Sequence, residues 1–128
     1  MKLLLDTHVF IWMNHAPEKL SAKFREYCER GEEEFFLSIV TPWEIQIKQQ
    51  LGKLNAATSM KELVEKNQQE NGIRLLMVEL NHVEMLGHLP MHHRDPFDRL
   101  IIAQTIVEKL QIISVDSIFD KYPVDRIW

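Results

Sequence analysis

The sequence is poor in cysteine and has no long apolar run. Its single cysteine, Cys28, excludes an internal disulfide and favours a reducing compartment such as the cytoplasm. No stretch approaches the roughly 20 apolar residues of a transmembrane helix. The short apolar start of the chain stops at Asp6, which argues against a secretory signal peptide. We therefore expect a cytoplasmic protein that has no contact with a membrane.

Glycine and proline are also scarce, and positive charge is not in excess. The sequence holds 4 glycines and 5 prolines, and neither a repeat nor a Gly/Ser-rich linker divides it. Its 128 residues therefore predict one domain over residues 1–128. The net charge of −4 disfavours non-specific binding of duplex nucleic acid. A small acidic site that works through a bound cation remains compatible with this charge.

Short apolar segments alternate along the chain with helical patterns. Predicted strands cover residues 3–5, 35–40, 73–80, 111–115 and 126–128. Predicted helices cover residues 9–13, 21–31, 41–51, 59–71, 81–87, 95–107 and 117–121. Strands separated by helices predict an α/β fold, with a parallel sheet and helices on both of its faces.

Helix ends and helix faces follow from local patterns. Ser21 is the predicted N-cap of the second helix, and Gly31 is predicted to end it. Ser59 and Gly72 have the same roles in the fourth helix. The spacing of apolar residues predicts the inward face of two helices. In the second helix this face holds Phe24, Tyr27 and Cys28, and in the third it holds Trp43, Ile47 and Leu51. Lys53 is predicted to lie at the surface.

Four acidic residues stand at the ends of predicted elements. Asp6 and Asp116 follow strands, whereas Glu44 and Asp98 lie in the first turns of helices. Each acid has a purely structural explanation, because acids at these positions cap helices. The segments Thr41–Glu44 and Asp95–Asp98 both have the spacing of a helix cap with an acid at the third helical position.

The same spacing occurs at Ser59–Glu62 and Asn81–Glu84, which we interpret as structural only. Topology distinguishes the four acids from these two sites. In a parallel sheet with connecting helices, the strands end and the helices begin at the same edge, where ligands bind. If the first strand is central, the four acids converge there. Glu84 shares that edge beside the outer third strand, and the pattern does not exclude it.

Converged carboxylates have an energetic consequence. Two of them about 4 Å apart repel by roughly 4 kcal/mol at an effective dielectric constant near 20, whereas a helix cap contributes about 1 kcal/mol. The acids therefore have to bind protons or a cation. Ligation by oxygen atoms alone suits Mg²⁺ or Mn²⁺, and such sites support phosphoryl displacement by water.

Four motifs in order strengthen this hypothesis: Leu-Leu-Leu-Asp6-Thr7-His8, Ser38-Ile-Val-Thr41-Pro-Trp-Glu44-Ile, Asp95-Pro-Phe-Asp98-Arg-Leu-Ile-Ile-Ala-Gln and Ile-Ser-Val-Asp116-Ser-Ile-Phe119. Together with the length, they resemble a PIN-domain ribonuclease, in particular a VapC-type toxin of a type II toxin–antitoxin system. The resemblance implies a sheet of order 3-2-1-4-5 and an endoribonuclease dependent on Mg²⁺ or Mn²⁺. It also implies a homodimer and a cognate antitoxin.

The resemblance also implies roles for single residues. Asp6, Glu44 and Asp98 match the three core acids of the family, and Asp116 matches the fourth and most variable one. Thr7 matches a hydroxyl beside the metal, which directs Asp6 or a bound water. The implied substrate is single-stranded or looped RNA, whose splayed bases a protein can recognise.

Two alternatives to a ribonuclease remain at this stage. The first is a non-catalytic PIN-like binding or scaffold protein whose acids only cap helices. The second is an aspartate-based phosphoryl-transfer domain, which needs an acid pair on the first strand. The chain has Asp6-Thr7-His8 there, so the second alternative is disfavoured.

Other polar residues near the acids have two interpretations each. Lys48 either pairs with Glu44 across one helical turn or steers a phosphate. His93, Arg94 and Arg99 either contact RNA phosphates or belong to a solvated surface. A zinc site at the histidines is disfavoured, because no Cys/His ligand spacing accompanies them.

Overall fold

A five-stranded parallel sheet organises the chain, in a computed structural model that describes residues 1–52 and 59–128. The strands are β1 (Lys2–Leu5), β2 (Glu34–Ser38), β3 (Arg74–Leu76), β4 (Gln111–Ile113) and β5 (Arg126–Ile127). The α-helices are α1 (Thr7–His15), α2 (Ala22–Arg30), α3 (Val40–Gln50), α4 (Met60–Asn71), α5 (Leu80–Leu86) and α6 (Pro96–Val107). Short 3-10 helices cover Pro17–Lys19 and Ser117–Lys121. Lys53 lies outside the described residues.

The strand order is β3-β2-β1-β4-β5, which confirms the predicted order and places β1 at the centre. Leu4 of β1 lies opposite Phe36 of β2 on one side and Ile112 of β4 on the other. Because every pairing is parallel, the ends of all the strands and the starts of the following helices share one edge. The first residue after β1, Asp6, therefore lies at the middle of that edge.

Side chains of β1 point alternately to two separate hydrophobic cores. Leu3 and Leu5 pack with residues of α1, α2 and α4, whereas Leu4 packs with residues of α6 and the C-terminal segment. All three leucines are fully buried. Both faces of the sheet are thus covered by helices, as the alternation of strands and helices predicts. In the described ranges, no helix combines the length and the apolar character that crossing a membrane requires.

The predicted caps of α2 and α4 are confirmed. The Ser21 hydroxyl accepts the backbone N–H of Phe24, and the Ser59 hydroxyl accepts that of Glu62. Both helices end at a glycine with a left-handed backbone, since φ is 67° at Gly31 and 63° at Gly72. This conformation costs a glycine little and suits the residue after a helix. The inward face predicted for α2 is only partly correct, because Cys28 is exposed.

The predicted cap and inward face of α3 are wrong. The helix begins at Val40, so Thr41 lies inside it and is not the N-cap. Trp43 is 58% exposed and Leu51 is 64% exposed. The buried stripe instead includes Thr41 and Ile45, which are also four residues apart. The spacing of residues alone does not decide which of these two stripes of α3 faces the sheet.

Four strands are shorter than predicted, and β5 is so by one residue, since it ends at Ile127. The strand predicted over residues 73–80 ends at Leu76, because β3 is an edge strand that pairs only with β2, and β2 ends at Ser38. The strand predicted over residues 35–40 ends early because α3 begins at Val40. The strand predicted over residues 111–115 ends at Ile113. Each strand therefore stops where its neighbour leaves the sheet or the next helix begins.

The predicted N-cap of α5 at Asn81 is also wrong. The helix begins at Leu80, and the backbone N–H of Glu79 donates to Nδ1 of His82 at 2.9 Å. The His82 ring is fully buried, and its Nε2 lies 3.0 Å from a carboxylate oxygen of Glu108 at the end of α6. A buried imidazole that joins two helices thus sets the start of α5, which a spacing rule for caps does not reveal.

The two leucines Leu4 and Leu51 test this assignment of the core. Leu4→Ala removes a fully buried side chain from the central strand, and we expect it to lower the free energy of unfolding by about 2–5 kcal/mol. Leu51→Ala, the matched control, should change it by less than about 0.5 kcal/mol because Leu51 is exposed. Urea denaturation measures both, and equal losses would contradict the assignment.

Candidate active site and metal centre

The structure brings the four predicted acids to the same edge of the sheet. Asp6 follows β1 directly, and Asp116 lies between β4 and the second 3-10 helix. Glu44 lies in the first half of α3, and Asp98 lies in the first turn of α6. Because β1 is central and pairs with both β2 and β4, the acids from these distant segments meet beside the end of β1.

The carboxylate of Asp6 is buried and held on both of its oxygens. Its Oδ1 accepts the backbone N–H of Thr7 at 2.8 Å, which caps α1, and its Oδ2 accepts the hydroxyl of Ser114 at 2.9 Å. The Ser114 hydroxyl also accepts the backbone N–H of Asp116 at 3.0 Å. One serine at the end of β4 therefore links the segments of two acids. The motif Ile-Ser-Val-Asp116 contains Ser114, but nothing in the sequence indicates that its hydroxyl reaches Asp6.

The carboxylate of Glu44 is buried and takes no part in capping its helix. The Thr7 hydroxyl donates to Glu44 Oε1 at 2.9 Å, and the Lys48 ammonium lies 2.8 Å from Oε2. Since the single hydroxyl proton of Thr7 is used in this bond, the Thr41 hydroxyl donates to Thr7 Oγ1 at 3.0 Å. The hydroxyl of Thr7 thus orients Glu44 and not Asp6. Of the two interpretations of Lys48, the structure shows the ion pair with Glu44.

The carboxylate of Asp98 is also free of the capping role that its position suggests. Asp95 caps α6, because its Oδ1 accepts the N–H groups of Phe97 and Asp98 at 2.8 and 3.2 Å. The side chain of Asp98 turns instead to His93, whose Nε2 lies 2.7 Å from Asp98 Oδ2. The sequence placed His93 close to Asp98, but its contact with the carboxylate was not predicted.

The arginine nearest to Asp98 in the sequence is structural. Arg99 donates to the carbonyl oxygens of Pro90, Leu86 and Leu89 at 2.9, 3.5 and 3.4 Å. These bonds hold the loop between α5 and α6 against α6. The interpretation of Arg99 as a phosphate contact is therefore disfavoured. Arg94 is exposed, so a phosphate contact of its side chain stays a prediction.

Burial and mutual repulsion perturb two of the acids. Burial, together with the charges of Asp6, Asp95 and Glu44, raises the pKa of Asp98 to about 7, although the hydrogen bond with His93 opposes the rise. Burial also raises the pKa of Asp6, an effect that the hydrogen bond from Ser114 opposes. The negative charge of Glu44 contributes to both shifts. Asp6 and Glu44 therefore lie close enough to Asp98 to disfavour its charged form, and Glu44 lies close enough to Asp6 to do the same there.

The donor set fits a small divalent cation. Ligand atoms of His93, Asp98 and Asp116 lie within 4.8 Å of one another. This is the grouping with metal-ligand geometry in residues 1–52 and 59–128, and the predicted ligands Asp6 and Glu44, like the exposed Glu84, do not belong to it. Each oxygen of Asp6 accepts one hydrogen bond and keeps a second lone pair. Carboxylates that repel one another, with free lone pairs, suit Mg²⁺ or Mn²⁺.

Solved structures with a similar fold include complexes of toxins with antitoxins. VapBC2 from Rickettsia felis, bound to a promoter DNA fragment, is 12% identical at a TM-score of 0.72, over 99% of this chain and 98% of that chain. FitAcB from Neisseria gonorrhoeae is 17% identical at a TM-score of 0.67, over 98% and 96%. A toxin–antitoxin complex from Klebsiella pneumoniae is 12% identical at a TM-score of 0.63, over 98% and 96%. At these identities, the likeness shows a shared fold.

A sequence-level comparison gives the family. A search of curated proteins finds no match to this chain. The sequence model of the PIN domain matches residues 3–125, a range that contains all four acids together with His93 and Ser114. The matched range is nearly the whole chain, and its sheet order is the one that the motifs imply. The chain therefore belongs to the PIN domain family.

Proposed function

We propose that this protein is an endoribonuclease that depends on Mg²⁺ or Mn²⁺ and hydrolyses phosphodiester bonds in single-stranded or looped RNA. The observation that supports this most is the convergence of Asp6, Glu44 and Asp98, together with the raised pKa values of Asp6 and Asp98. Buried carboxylates that oppose one another's ionisation create a strong site for a divalent cation. PIN domains are generally nucleases that depend on divalent metals, which agrees with this proposal.

Asp6, Asp98, Asp116 and Glu44 would hold the cation. A bound divalent cation supplies positive charge that stabilises a phosphodiester undergoing displacement by water. Ser114 and the Thr7 backbone fix the orientation of Asp6, whereas the Thr7 hydroxyl and Lys48 fix that of Glu44.

Single-stranded or looped RNA agrees with the charge of the chain. A net charge of −4 disfavours binding to a duplex backbone through phosphate contacts alone. Contacts with bases, which loops and single strands expose, then provide the affinity that phosphate contacts do not. The cation itself would then attract the scissile phosphate.

The proposal extends to a cognate antitoxin and a homodimer. Similar folds occur in VapBC2, FitAcB and a Klebsiella pneumoniae toxin–antitoxin complex, so we propose that this chain is the toxin of such a pair. The homodimer follows from the family resemblance of the four motifs. A toxin that cleaves cellular RNA would act in the cytoplasm, which agrees with the single cysteine.

A non-catalytic scaffold is the second candidate, and one observation favours it. Asp6 and Asp116 do cap helices, since they accept the N–H groups of Thr7 and Ile118. Caps alone do not explain Glu44 and Asp98, whose side chains leave their helix ends and point to other partners. Calorimetry separates the two candidates, because a cation that binds the folded state raises its melting temperature. No shift at millimolar Mg²⁺ or Mn²⁺ would favour the scaffold.

Substitution of Asp6 tests the catalytic assignment. Asp6→Asn keeps an oxygen that accepts the N–H of Thr7 but removes the charge that holds the cation, so the fold should survive. We expect RNA cleavage to fall by about 10²-fold or more, because the cation's contribution to the transition state is several kcal/mol. Glu84→Gln, an exposed acid on α5, is the matched control and should cleave normally. Sequencing of RNA ends after induced expression measures both, and full cleavage by Asp6→Asn would refute the assignment.

The raised pKa of Asp98 predicts an unusual dependence of stability on pH when cations are removed with EDTA. The folded state binds the Asp98 proton up to about pH 7, whereas an unfolded aspartate releases it near pH 3.8. Stability falls with pH wherever the folded state binds more protons, so the melting temperature should decrease between these two values. Above about pH 7 the contribution of Asp98 should be constant.

Asp98→Asn removes this titration. We expect its melting temperature in EDTA to exceed that of the wild type at pH 8 and to vary less between pH 4 and pH 7, as measured by calorimetry. Mg²⁺ added at pH 8 should stabilise the wild type more than the variant. Glu84→Gln serves again as the control and should follow the wild type. Parallel curves for the wild type and Asp98→Asn would contradict the raised pKa.

A further inference from the structure

One histidine lies against the acid cluster, although a site for Mg²⁺ or Mn²⁺ can be built from oxygen ligands alone. Nε2 of His93 lies 2.7 Å from Oδ2 of Asp98. The side chains are 22% and 17% exposed, so both groups are largely shielded from water. A hydrogen bond of this length, in a shielded place, fixes the plane and the rotamer of the carboxylate.

The other ring nitrogen indicates which atom donates in this hydrogen bond. The backbone N–H of Asp95 points to Nδ1 of His93 at 3.5 Å, so Nδ1 is placed as an acceptor. In a neutral imidazole the proton then resides on Nε2, which donates it to Asp98. An Nε2 atom that carries a proton has no lone pair for a cation. This geometry therefore favours a role through Asp98 over direct ligation.

The backbone of His93 is held as firmly as its side chain. The N–H groups of His92 and His93 both donate to the phenolic oxygen of Tyr122, at 3.1 and 2.9 Å. Arg99 donates to the same oxygen at 3.3 Å and to the carbonyl of Pro90 at 2.9 Å. Tyr122 is buried and follows the 3-10 helix that begins after Asp116. The loop that carries His93 is thus fixed to α6 and to the C-terminal segment.

We propose that His93 is a positioning residue, whose Nε2–H holds Oδ2 of Asp98 and thereby presents the other oxygen to the divalent cation. This inference rests on the proposed function. Asp98 needs such a partner because Asp95 already accepts the amides at the start of α6 that would otherwise orient it. Hydrogen-bond partners of metal ligands typically contribute 10–100-fold to metal affinity, because they fix the ligand before the cation arrives.

The competing interpretation is that His93 binds the cation itself. A ring nitrogen of His93 lies within 4.8 Å of ligand oxygens of Asp98 and Asp116, which permits a shared cation. A glutamine side chain offers an N–H donor to Asp98, but its amide oxygen can also bind a hard cation. Rescue by glutamine therefore has to be combined with a test for nitrogen bound to the cation.

Mn²⁺ titrations of His93→Leu, His93→Gln and the control His88→Leu test the proposal, with free Mn²⁺ measured by electron paramagnetic resonance. His93→Leu should weaken Mn²⁺ affinity by about 10–100-fold, because Asp98 loses its only donor from this loop. His93→Gln should restore most of the affinity. His88→Leu changes an exposed histidine of the same connection and should bind like the wild type.

Pulsed electron paramagnetic resonance of the wild type with Mn²⁺ distinguishes the two roles directly. We expect no nitrogen bound to Mn²⁺. A directly bound nitrogen that disappears in His93→Gln would overturn the positioning role, as would unchanged affinity in His93→Leu. Circular dichroism confirms that each variant is folded.

The same experiment separates this inference from the proposed function. A wild type that binds no Mn²⁺ overturns both. Loss of affinity in His93→Leu with rescue in His93→Gln and no nitrogen bound to Mn²⁺ in the wild type, in a protein that cleaves no RNA, would contradict the ribonuclease and still support His93 as a positioning residue.

Discussion

The repulsion among buried carboxylates at one edge of the sheet is the constraint on which the rest of the site depends. Asp6, Glu44 and Asp98 come from three distant segments, and a parallel sheet with β1 at its centre brings them together. Burial raises the pKa values of Asp6 and Asp98, so the folded chain holds these acids at a cost in free energy. A bound divalent cation would remove that cost, so the proposed function implies that stability and cation binding are coupled.

The polar residues around the acids fix them without neutralising them. Ser114 and Thr7 donate to Asp6 and Glu44, and His93 contacts Asp98. Neutral donors orient a carboxylate but leave its charge in place, whereas a full set of lysines or arginines would compete with a cation. Lys48, which pairs with Glu44, is the exception among the described contacts of the three acids. The acids of the site are therefore oriented before any cation binds, and most of their negative charge is not balanced by neighbouring side chains.

The sequence predicts the elements and the four acids better than it predicts their partners. The strand order and the caps at Ser21 and Ser59 are confirmed. The order could be predicted from a family resemblance, and the caps could be predicted because they depend only on hydrogen bonds between residues close in the sequence. The inward face of α3 was wrong because two stripes had similar spacing, and only contact with the sheet decides between them. Ser114 and His93 could not be assigned for a related reason. Their roles depend on acids 108 and 5 residues away in the sequence, at angles that only the folded backbone defines.

Helix capping explains why the spacing of the acids was ambiguous. At α3, the hydroxyl of Ser38 accepts the N–H of Val40, so the helix start does not need Glu44. At α6, Asp95 accepts the first free N–H groups, so the helix start does not need Asp98. Neighbouring residues thus perform the capping that the pattern assigns to these two acids. An acid at a helix start whose capping role is taken by a neighbour is available for another partner, and here both such acids turn toward the end of β1.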